Sequence, residues 1–543
     1  MVVVPALLSQ QQDVDSLCSQ LELHYLRCAD RRVVTTQSAN QDEILPNPIT
    51  FALLTDYGDA PEEEMPEDHA LIEAATAAIT ALNEKYVECP FYLFHRHRLW
   101  NESEGVWMGW ERKRGKLQEL NRLLRGADDT SYSVQVGEHA TLSTVRYIIT
   151  LDADTLLPRG EAHRLIGTLA HPLNRARFND AGKVVAGYTI LQPRTEITPT
   201  SSNQSIFSRI FAGDTGFDLY SRAVSDIYQD LFGTGIFVGK GIYDVDAFER
   251  SLAGRVPENA ILSHDLFEGI HGRAALVTDV VLYEDYPPHY LVNVRRSHRW
   301  VRGDWQLVPW LFARVPADDG AHGIRYIPND LAPIDRWKIF DNLRRSLFSP
   351  LLLLFLVLGW TVLPGAAWAW TLAAIFAPSI PLLTSVLNAV LQLAQGNELH
   401  AVVQPLRNQA LRWLLFLAFL PYESRLLVDA IITTLVRLYI RRRRLLRWVT
   451  AARTARLFGD EMSAGAAFST MLPSLLFVVA LVFLLLWVNP HVLPVAAPLL
   501  AIWLFSWWIV HAISLPEPTE PTPLNAEQRA AMRLLARRTW LFY

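Results

Sequence analysis

Charged residues are absent from two long stretches of this sequence. None of the 52 residues 346–397 and none of the 55 residues 462–516 is Asp, Glu, Lys or Arg. Because about 20 apolar residues cross a bilayer as a helix, each stretch is long enough for two crossings and a turn. Pro364-Gly365 and Asn489-Pro490 are turn dipeptides within them. We predict four transmembrane helices, at about 347–363, 367–388, 471–488 and 493–513. A buried soluble core is the alternative, which two such runs argue against.

Cysteine and basic charge are also scarce. The three cysteines, Cys18, Cys28 and Cys89, contain no Cys-x-x-Cys pair, which argues against a disulfide framework and suits a reducing compartment. The formal net charge of −5 argues against a nucleic-acid partner, which requires a basic face. Half of the residues are hydrophobic and 19% are charged, a composition that excludes a disordered chain.

Basic residues are concentrated between the two charge-free stretches. Residues 407–456 hold eleven arginines against Glu423 and Asp429. Such segments stay on the cytoplasmic side of a membrane, and their alternation of apolar and basic residues favours helices on the inner leaflet. A nucleic-acid patch is the alternative, disfavoured by its place between spans. We predict a soluble domain at 1–335, transmembrane hairpins at 346–397 and 462–516, an Arg-rich cytoplasmic interfacial segment at 398–461 and a cytoplasmic region at 517–543.

Strand-like and helix-like runs alternate in residues 1–335. Apolar runs predict strands at 2–5, 49–56, 91–94 and 145–151, and helical spacing predicts helices at 13–27, 68–86 and 116–124. This order predicts an α/β fold with a mostly parallel sheet and helices on both faces. Ligands bind such sheets at the carboxyl ends of the strands, where Asp56 and the pair Asp152 and Asp154 are expected.

The Asp152-Ala-Asp154 motif has a chemical use at that edge. Two carboxylates leaving a buried strand can bind one Mg²⁺ ion, whose remaining ligands are phosphate oxygens. Asp-x-Asp is also common on surface turns, but here it directly follows the apolar run 147–151. The motif therefore predicts a metal and diphosphate site.

Further motifs suit transfer chemistry, and each has a structural alternative. Asp265 in Ser263-His264-Asp265 is a candidate general base, or part of a helix N-cap. Arg296 and Arg299 share a helical face and suit a diphosphate, with Trp300 beside them for a sugar; the alternative is an Arg/Trp anchor at the membrane. The basic run 111–116, with Lys116, suits phosphate or is a solvated turn. The glycine-rich run 233–241 is not a P-loop, and we interpret it as a bend against a ligand.

These motifs, in this order and followed by membrane helices, resemble those of the processive membrane glycosyltransferases related to cellulose synthase. Longer segments resemble the glycosyltransferase part of cyclic β-1,2-glucan synthases, and the likeness covers nearly the whole chain. They are Leu53-Leu-Thr-Asp-Tyr-Gly-Asp-Ala60, Phe211-Ala-Gly-Asp-Thr-Gly216, Gly239-Lys-Gly-Ile-Tyr-Asp-Val-Asp-Ala-Phe248 and Arg299-Trp-Val-Arg-Gly-Asp-Trp-Gln306. Arg296 stands where cellulose synthases carry Gln.

The resemblance implies a GT-A domain that transfers glucose from UDP-glucose to a growing β-1,2-glucan, with inversion, on the cytoplasmic side of a bacterial inner membrane. It implies Mg²⁺ or Mn²⁺ as cofactor, and a glucan acceptor, a lipid bilayer and further domains of a longer chain as partners. A fragment of this kind would polymerise without forming rings. Alternatives are a synthase of another β-glucan and a non-catalytic glucan-transport scaffold.

The resemblance also implies roles for individual residues. Asp265 would be the base, and Asp152 and Asp154 would hold the metal. The donor would be bound by Asp56, Asp152, Lys116, Arg296 and Arg299, and the acceptor by Gly233, Thr234, Gly235, His264 and Trp300. Tyr220 is a candidate for covalent attachment of the glucan, with Tyr228 second.

Overall fold

The structure is a computed structural model. It describes residues 1–28, 33–35, 42–44, 49–86, 91–212, 226–320, 323–396, 398–447, 463–517 and 523–542.

An eight-stranded mixed sheet forms the centre of the N-terminal region. Its strands are β1 (Val2–Leu8), β2 (Phe51–Tyr57), β3 (Phe91–Arg96), β4 (Tyr132–Val136), β5 (Tyr147–Thr150), β6 (Ile190–Ile197), β7 (Gly241–Asp244) and β8 (Ala275–Glu284). Their order is β8-β6-β7-β5-β1-β2-β3-β4. Four of the seven neighbouring pairs are parallel, including the consecutive β5-β1-β2-β3 block, and the other three are antiparallel. The predicted α/β class is confirmed, with a sheet that is mixed.

Helices cover both faces of this sheet because its central strands are apolar on both sides. The helices of this region are α1 (Gln11–Cys28), α2 (Asp68–Lys85), α3 (Arg112–Leu123), α4 (Glu161–Ala170), α5 (Pro199–Ser202), α6 (Ile206–Phe211), α7 (Ile227–Phe232), α8 (Val245–Leu252), α9 (Asp265–His271) and α10 (Tyr290–Gln306). Val2 and Val4 of β1 point to the core with α1, α2 and α4, whereas Val3 points to the core with α3 and α8. Successive residues of one strand thus supply both cores.

Long apolar helices follow. They are α11 (Pro333–Thr361), α12 (Ala367–Phe376), α13 (Ile380–Ala394), α14 (Leu399–Leu435), α15 (Ala464–Val488), α16 (Leu493–Leu504) and α17 (Ser506–Ser514), before α18 (Ala526–Phe542). Three helical stretches are long and apolar enough to cross a membrane, namely 333–361, 367–394 and 464–488. A fourth exists if 490–504 and 506–514, bent by 42°, form one span. The three stretches correspond to the first three predicted spans, the first of which begins earlier than predicted, and the bent pair corresponds to the predicted fourth.

The Arg-rich region contains one 37-residue helix, α14, despite Pro405 and Pro421 within it. Phe416 and Leu420 of α14 pack with Leu352 of α11 and Trp503 of α16. Phe419, between these two residues of α14, packs on Tyr290 of α10. The helix therefore joins the apolar bundle to the sheet domain. That this region lies on the inner leaflet stays a prediction.

Beyond α14, the strap formed by residues 442–447 returns to the N-terminal domain. Leu445 and Leu446 are buried. The Leu446 amide donates to Oε1 of Glu104 (2.8 Å), beside the hairpin of strands Leu99–Asn101 and Val106–Met108. Gln306 and Arg302 of α10 donate to the carbonyls of Leu445 (2.9 Å) and Arg447 (2.8 Å). The strap is thus bound to two elements of the sheet domain.

Candidate active site

Asp56 lies near the carboxyl end of β2, as predicted, and is buried between two cations. Arg96 donates to both of its oxygens at 2.7 and 2.8 Å, and Lys116 Nζ lies 3.1 Å from Oδ2. Burial alone would raise the pKa of Asp56, but Arg96 and Lys116 outweigh it and lower the pKa to about 2. Burial also lowers the pKa of Lys116 to about 8. Lys116 pairs with Asp56 and also donates a hydrogen bond to the Ala6 carbonyl of β1.

Asp152 follows β5 at the same edge of the sheet and meets two other lysines. Lys113 Nζ lies 2.5 Å from Oδ1, and Lys240 Nζ lies 3.4 Å from Oδ2. Burial would raise the pKa of Asp152, but these lysines lower it well below its usual range. The side chain of Asp152 keeps 38% of its surface exposed, and Asp154 is exposed. Asp152 is therefore paired with two ammonium groups and still partly open to solvent.

Helix α3 places one lysine on each of these carboxylates. Lys113 and Lys116 are three residues apart, so they share a helix face. The turn before Lys113 is strained, since Glu111 and Arg112 have φ of +50° and +58°, which costs about 1–2 kcal/mol per residue. Asn259 donates its amide to Glu111, and Arg112 Nη2 donates to Asp59 at 2.7 Å. These contacts hold the turn that points Lys113 at Asp152.

Asp265 is the first residue of α9 and is partly exposed. His264 occupies the N-cap position without a side-chain cap bond, so neither Ser263 nor Asp265 is the N-cap. His264 Nδ1 lies 2.8 Å from Glu268 Oε1 and 3.5 Å from Asp265 Oδ1. Burial lowers the pKa of His264, but Glu268 and Asp265 outweigh it and raise the pKa. The predicted acceptor residue His264 is therefore engaged with acids beside Asp265.

Helix α10 brings Arg296, Arg299 and Trp300 to the same place. The Arg296 guanidinium lies 4.6 Å from the centre of the Trp300 ring. Burial and the charge of Arg296 lower the pKa of Arg299 to about 10, while Asp152, Asp265 and Asp154 act in the opposite direction. Arg299 is thus within electrostatic reach of all three acids. This position favours the active-site interpretation of the motif over a membrane anchor.

The turn Gly233-Thr234-Gly235 is held by the first apolar helix. Lys338 of α11 donates to Thr234 Oγ1 at 2.9 Å and to the Gly235 carbonyl at 3.1 Å. Four residues after Gly235, Gly239 lies against Asp265. The predicted acceptor turn therefore leads towards the site. Tyr220 lies outside the described residues, and the second candidate, Tyr228, is buried.

The carboxylates fit the predicted divalent cation. Asp152 and Asp154 offer oxygen ligands that are at least partly exposed, and Mg²⁺ is bound by few carboxylates when phosphate completes its shell. His264, Asp265 and Glu268 form another group, with ligand atoms within 4.8 Å of one another. In that group Glu268 already pairs with His264 at 2.8 Å.

Sequence reasoning did not assign a role to four residues of this cluster: Arg96, Lys113, Lys240 and Glu284. Arg96 is fully buried against Asp56 and Glu119, and Lys240 bridges Asp152 and the buried Glu284. Lys113 belonged to the predicted phosphate run, but Lys116 was preferred. Arg96 lies two residues after the predicted strand 91–94, which follows the strand of Asp56, and this position was the available signal. The Lys240–Glu284 pair had no signal in the sequence.

Fold and site together define a membrane protein with an α/β domain and a cluster of acids and cations at the carboxyl edge of its sheet. The chain is 40% identical, over 560 residues, to the cyclic beta-(1,2)-glucan synthase NdvB of Rhizobium meliloti (strain 1021). The alignment covers 100% of this chain and 18% of that relative. No family model matches the chain. The predicted resemblance to a region of a glucan synthase is confirmed.

Proposed function

We propose that this chain is the polymerising glycosyltransferase region of a cyclic glucan synthase. It transfers glucose from UDP-glucose to the 2-hydroxyl of a growing β-1,2-glucan, with inversion, at the inner face of the bacterial cytoplasmic membrane. The similarity to a named glucan synthase supports the substrate class. The positive-inside rule applied to the arginines of 437–447 supports the side of the membrane.

One observation carries the reaction type: a candidate base and a candidate diphosphate site share one cluster. Lys113 Nζ lies 2.5 Å from Asp152 Oδ1 and donates to the Gly239 carbonyl at 3.0 Å, and Gly239 packs against the Asp265 carboxylate. Asp265 and Asp152 are both partly exposed. A substrate between them would have a proton acceptor at one end and cations at the other.

This arrangement supports a single displacement. Asp265 accepts the proton of the acceptor 2-hydroxyl, whose oxygen forms a bond to the anomeric carbon of glucose. The bond from that carbon to the diphosphate oxygen breaks on the opposite side, which inverts the centre. Lys113, Arg296 and Arg299 stabilise the charge that develops on the departing UDP. Mg²⁺ or Mn²⁺ held by Asp152 and Asp154 would polarise the diphosphate when bound.

Incubation of membranes containing the chain with labelled UDP-glucose and Mg²⁺ or Mn²⁺, followed by linkage analysis, tests this proposal. We expect β-1,2-linked product from the wild type and a loss of at least about 100-fold in Asp265→Asn. Asp129→Asn, which alters an exposed pair with Arg122, is the matched control and should retain activity. A β-1,3 or β-1,4 product would identify another synthase, and full UDP release by Asp265→Asn would refute the mechanism. Closed rings would contradict the expectation of linear product from this region.

A further inference from the structure

Both oxygens of the Asp152 carboxylate face an ammonium group. Lys113 approaches Oδ1 from α3, and Lys240 approaches Oδ2 from the bend before β7. These lysines contact different oxygens of the carboxylate and come from elements far apart in sequence. Their shared target is the residue that fits a divalent cation.

Each lysine also contacts a second partner, which holds it beside Asp152. Lys113 Nζ also donates to the Gly239 carbonyl at 3.0 Å, and the strained turn at Glu111 and Arg112 fixes the start of its helix. Lys240 is buried and also paired with the buried carboxylate of Glu284.

A divalent cation at Asp152 would therefore enter a site that already contains two positive charges, with Arg296 and Arg299 nearby. Repulsion between such charges is strong in a partly buried site. A nucleotide diphosphate brings several negative charges and removes this repulsion. The two ligands should then bind with strong mutual dependence, which by linkage holds in both directions.

We propose that Lys113 and Lys240 make divalent-cation binding at Asp152 and Asp154 depend on a bound nucleotide diphosphate. This inference rests on the proposed function for the identity of the site. It gives the two lysines a role beyond their ion pairs with Asp152 and Glu284. The protein without nucleotide would bind the cation weakly, and a bound nucleotide diphosphate would raise its affinity for the cation.

Titration of the purified chain in lipid nanodiscs with Mn²⁺, followed by the electron paramagnetic resonance signal of free Mn²⁺, tests the inference without an activity readout. For the wild type we expect Mn²⁺ affinity to rise by at least about tenfold when UDP is present. Lys113→Met should raise the affinity for Mn²⁺ without UDP by a similar factor and reduce the effect of UDP. Lys183→Met, which removes a lysine bound to the carbonyl of Asp330, is the control and should match the wild type.

A second variant covers the buried lysine. Lys240→Met alone would leave the buried Glu284 carboxylate without its cation. A double variant, Lys240→Met with Glu284→Gln, therefore removes both charges of the pair together. This double variant should also bind Mn²⁺ more tightly without UDP. Equal Mn²⁺ affinity with and without UDP in the wild type would overturn the inference and leave the proposed transferase intact. Failure to bind UDP at all would overturn the proposed function as well.

Discussion

The Asp265 carboxylate packs against Gly239, in the space that a β-carbon at residue 239 would need. A β-carbon at that position would meet Oδ1 of Asp265 at 2.7 Å and Oδ2 at 3.0 Å, and Gly239 has φ of +85°. Gly239→Ala must therefore displace the proposed base, and we expect transfer to fall by at least about tenfold, as misplacement of a reacting group does. The measurement is the initial rate of glucose transfer at saturating UDP-glucose.

Gly160→Ala separates displacement from backbone strain. Gly160 has a similar φ of +80°, and nothing lies within 4 Å of its β-carbon position. Both variants should lose about 1 kcal/mol of stability from the left-handed backbone, while Gly160→Ala keeps its rate. An equal loss of rate in both variants would show that strain, and not the position of Asp265, limits activity.

Removing Arg96 should strongly destabilise the protein. Its side chain is fully buried, binds Asp56 and Glu119 and donates to the Trp110 carbonyl at 2.9 Å. Arg96→Met leaves two buried carboxylates without this cation, which typically costs about 3–5 kcal/mol. We expect a clear drop in the thermal unfolding midpoint. Arg122→Met breaks only the exposed pair with Asp129 and should shift the midpoint little; equal shifts would contradict the argument.

Gly303 lets α10 approach the segment that carries the candidate base. A β-carbon at Gly303 would lie 2.2 Å from Cβ of Ser263, two residues before Asp265. Gly303→Ala should reduce transfer because the helix with Arg299 must move away from Asp265. Adding Ser263→Gly removes the clashing atom and should restore much of the rate. Absence of rescue in the double variant would contradict this packing relationship.

His24 makes folding sensitive to acid. It is fully buried in α1, and burial lowers its pKa to about 4, with a further effect of Arg27. The unfolded state binds a proton near pH 6.5, so stability from neutral His24 is present above that pH and falls as pH decreases towards 4. About 2 kcal/mol should be lost by about pH 5. His24→Leu should reduce this loss in thermal unfolding, whereas exposed His69→Leu should not.

Sequence reasoning located the elements whose residues strongly favour one kind of secondary structure. β1, β2 and β5 are short apolar runs, and Asp56 and Asp152 lie at their carboxyl ends as the rule for parallel strands requires. The choice between Lys113 and Lys116 was different, because four cations within five residues look alike until the helix phase is known. Helix α14 was also missed as one element, since Pro405, Pro421 and its arginines interrupt the apolar pattern. Lys240 and Glu284 are 44 residues apart, and only the folded sheet joins them.

The strap at 442–447 has a consequence for any attempt to divide the molecule. Glu104, Arg302 and Gln306 form hydrogen bonds with residues that follow the four apolar helices α11 to α14. The sheet domain therefore takes part of its packing from residues that lie well beyond residue 335. A truncation ending there would expose the surface that Leu445 and Leu446 cover. It would also remove the strap hydrogen bonds of Glu104, Arg302 and Gln306. Residues before α11 and residues after α14 therefore pack together as one unit.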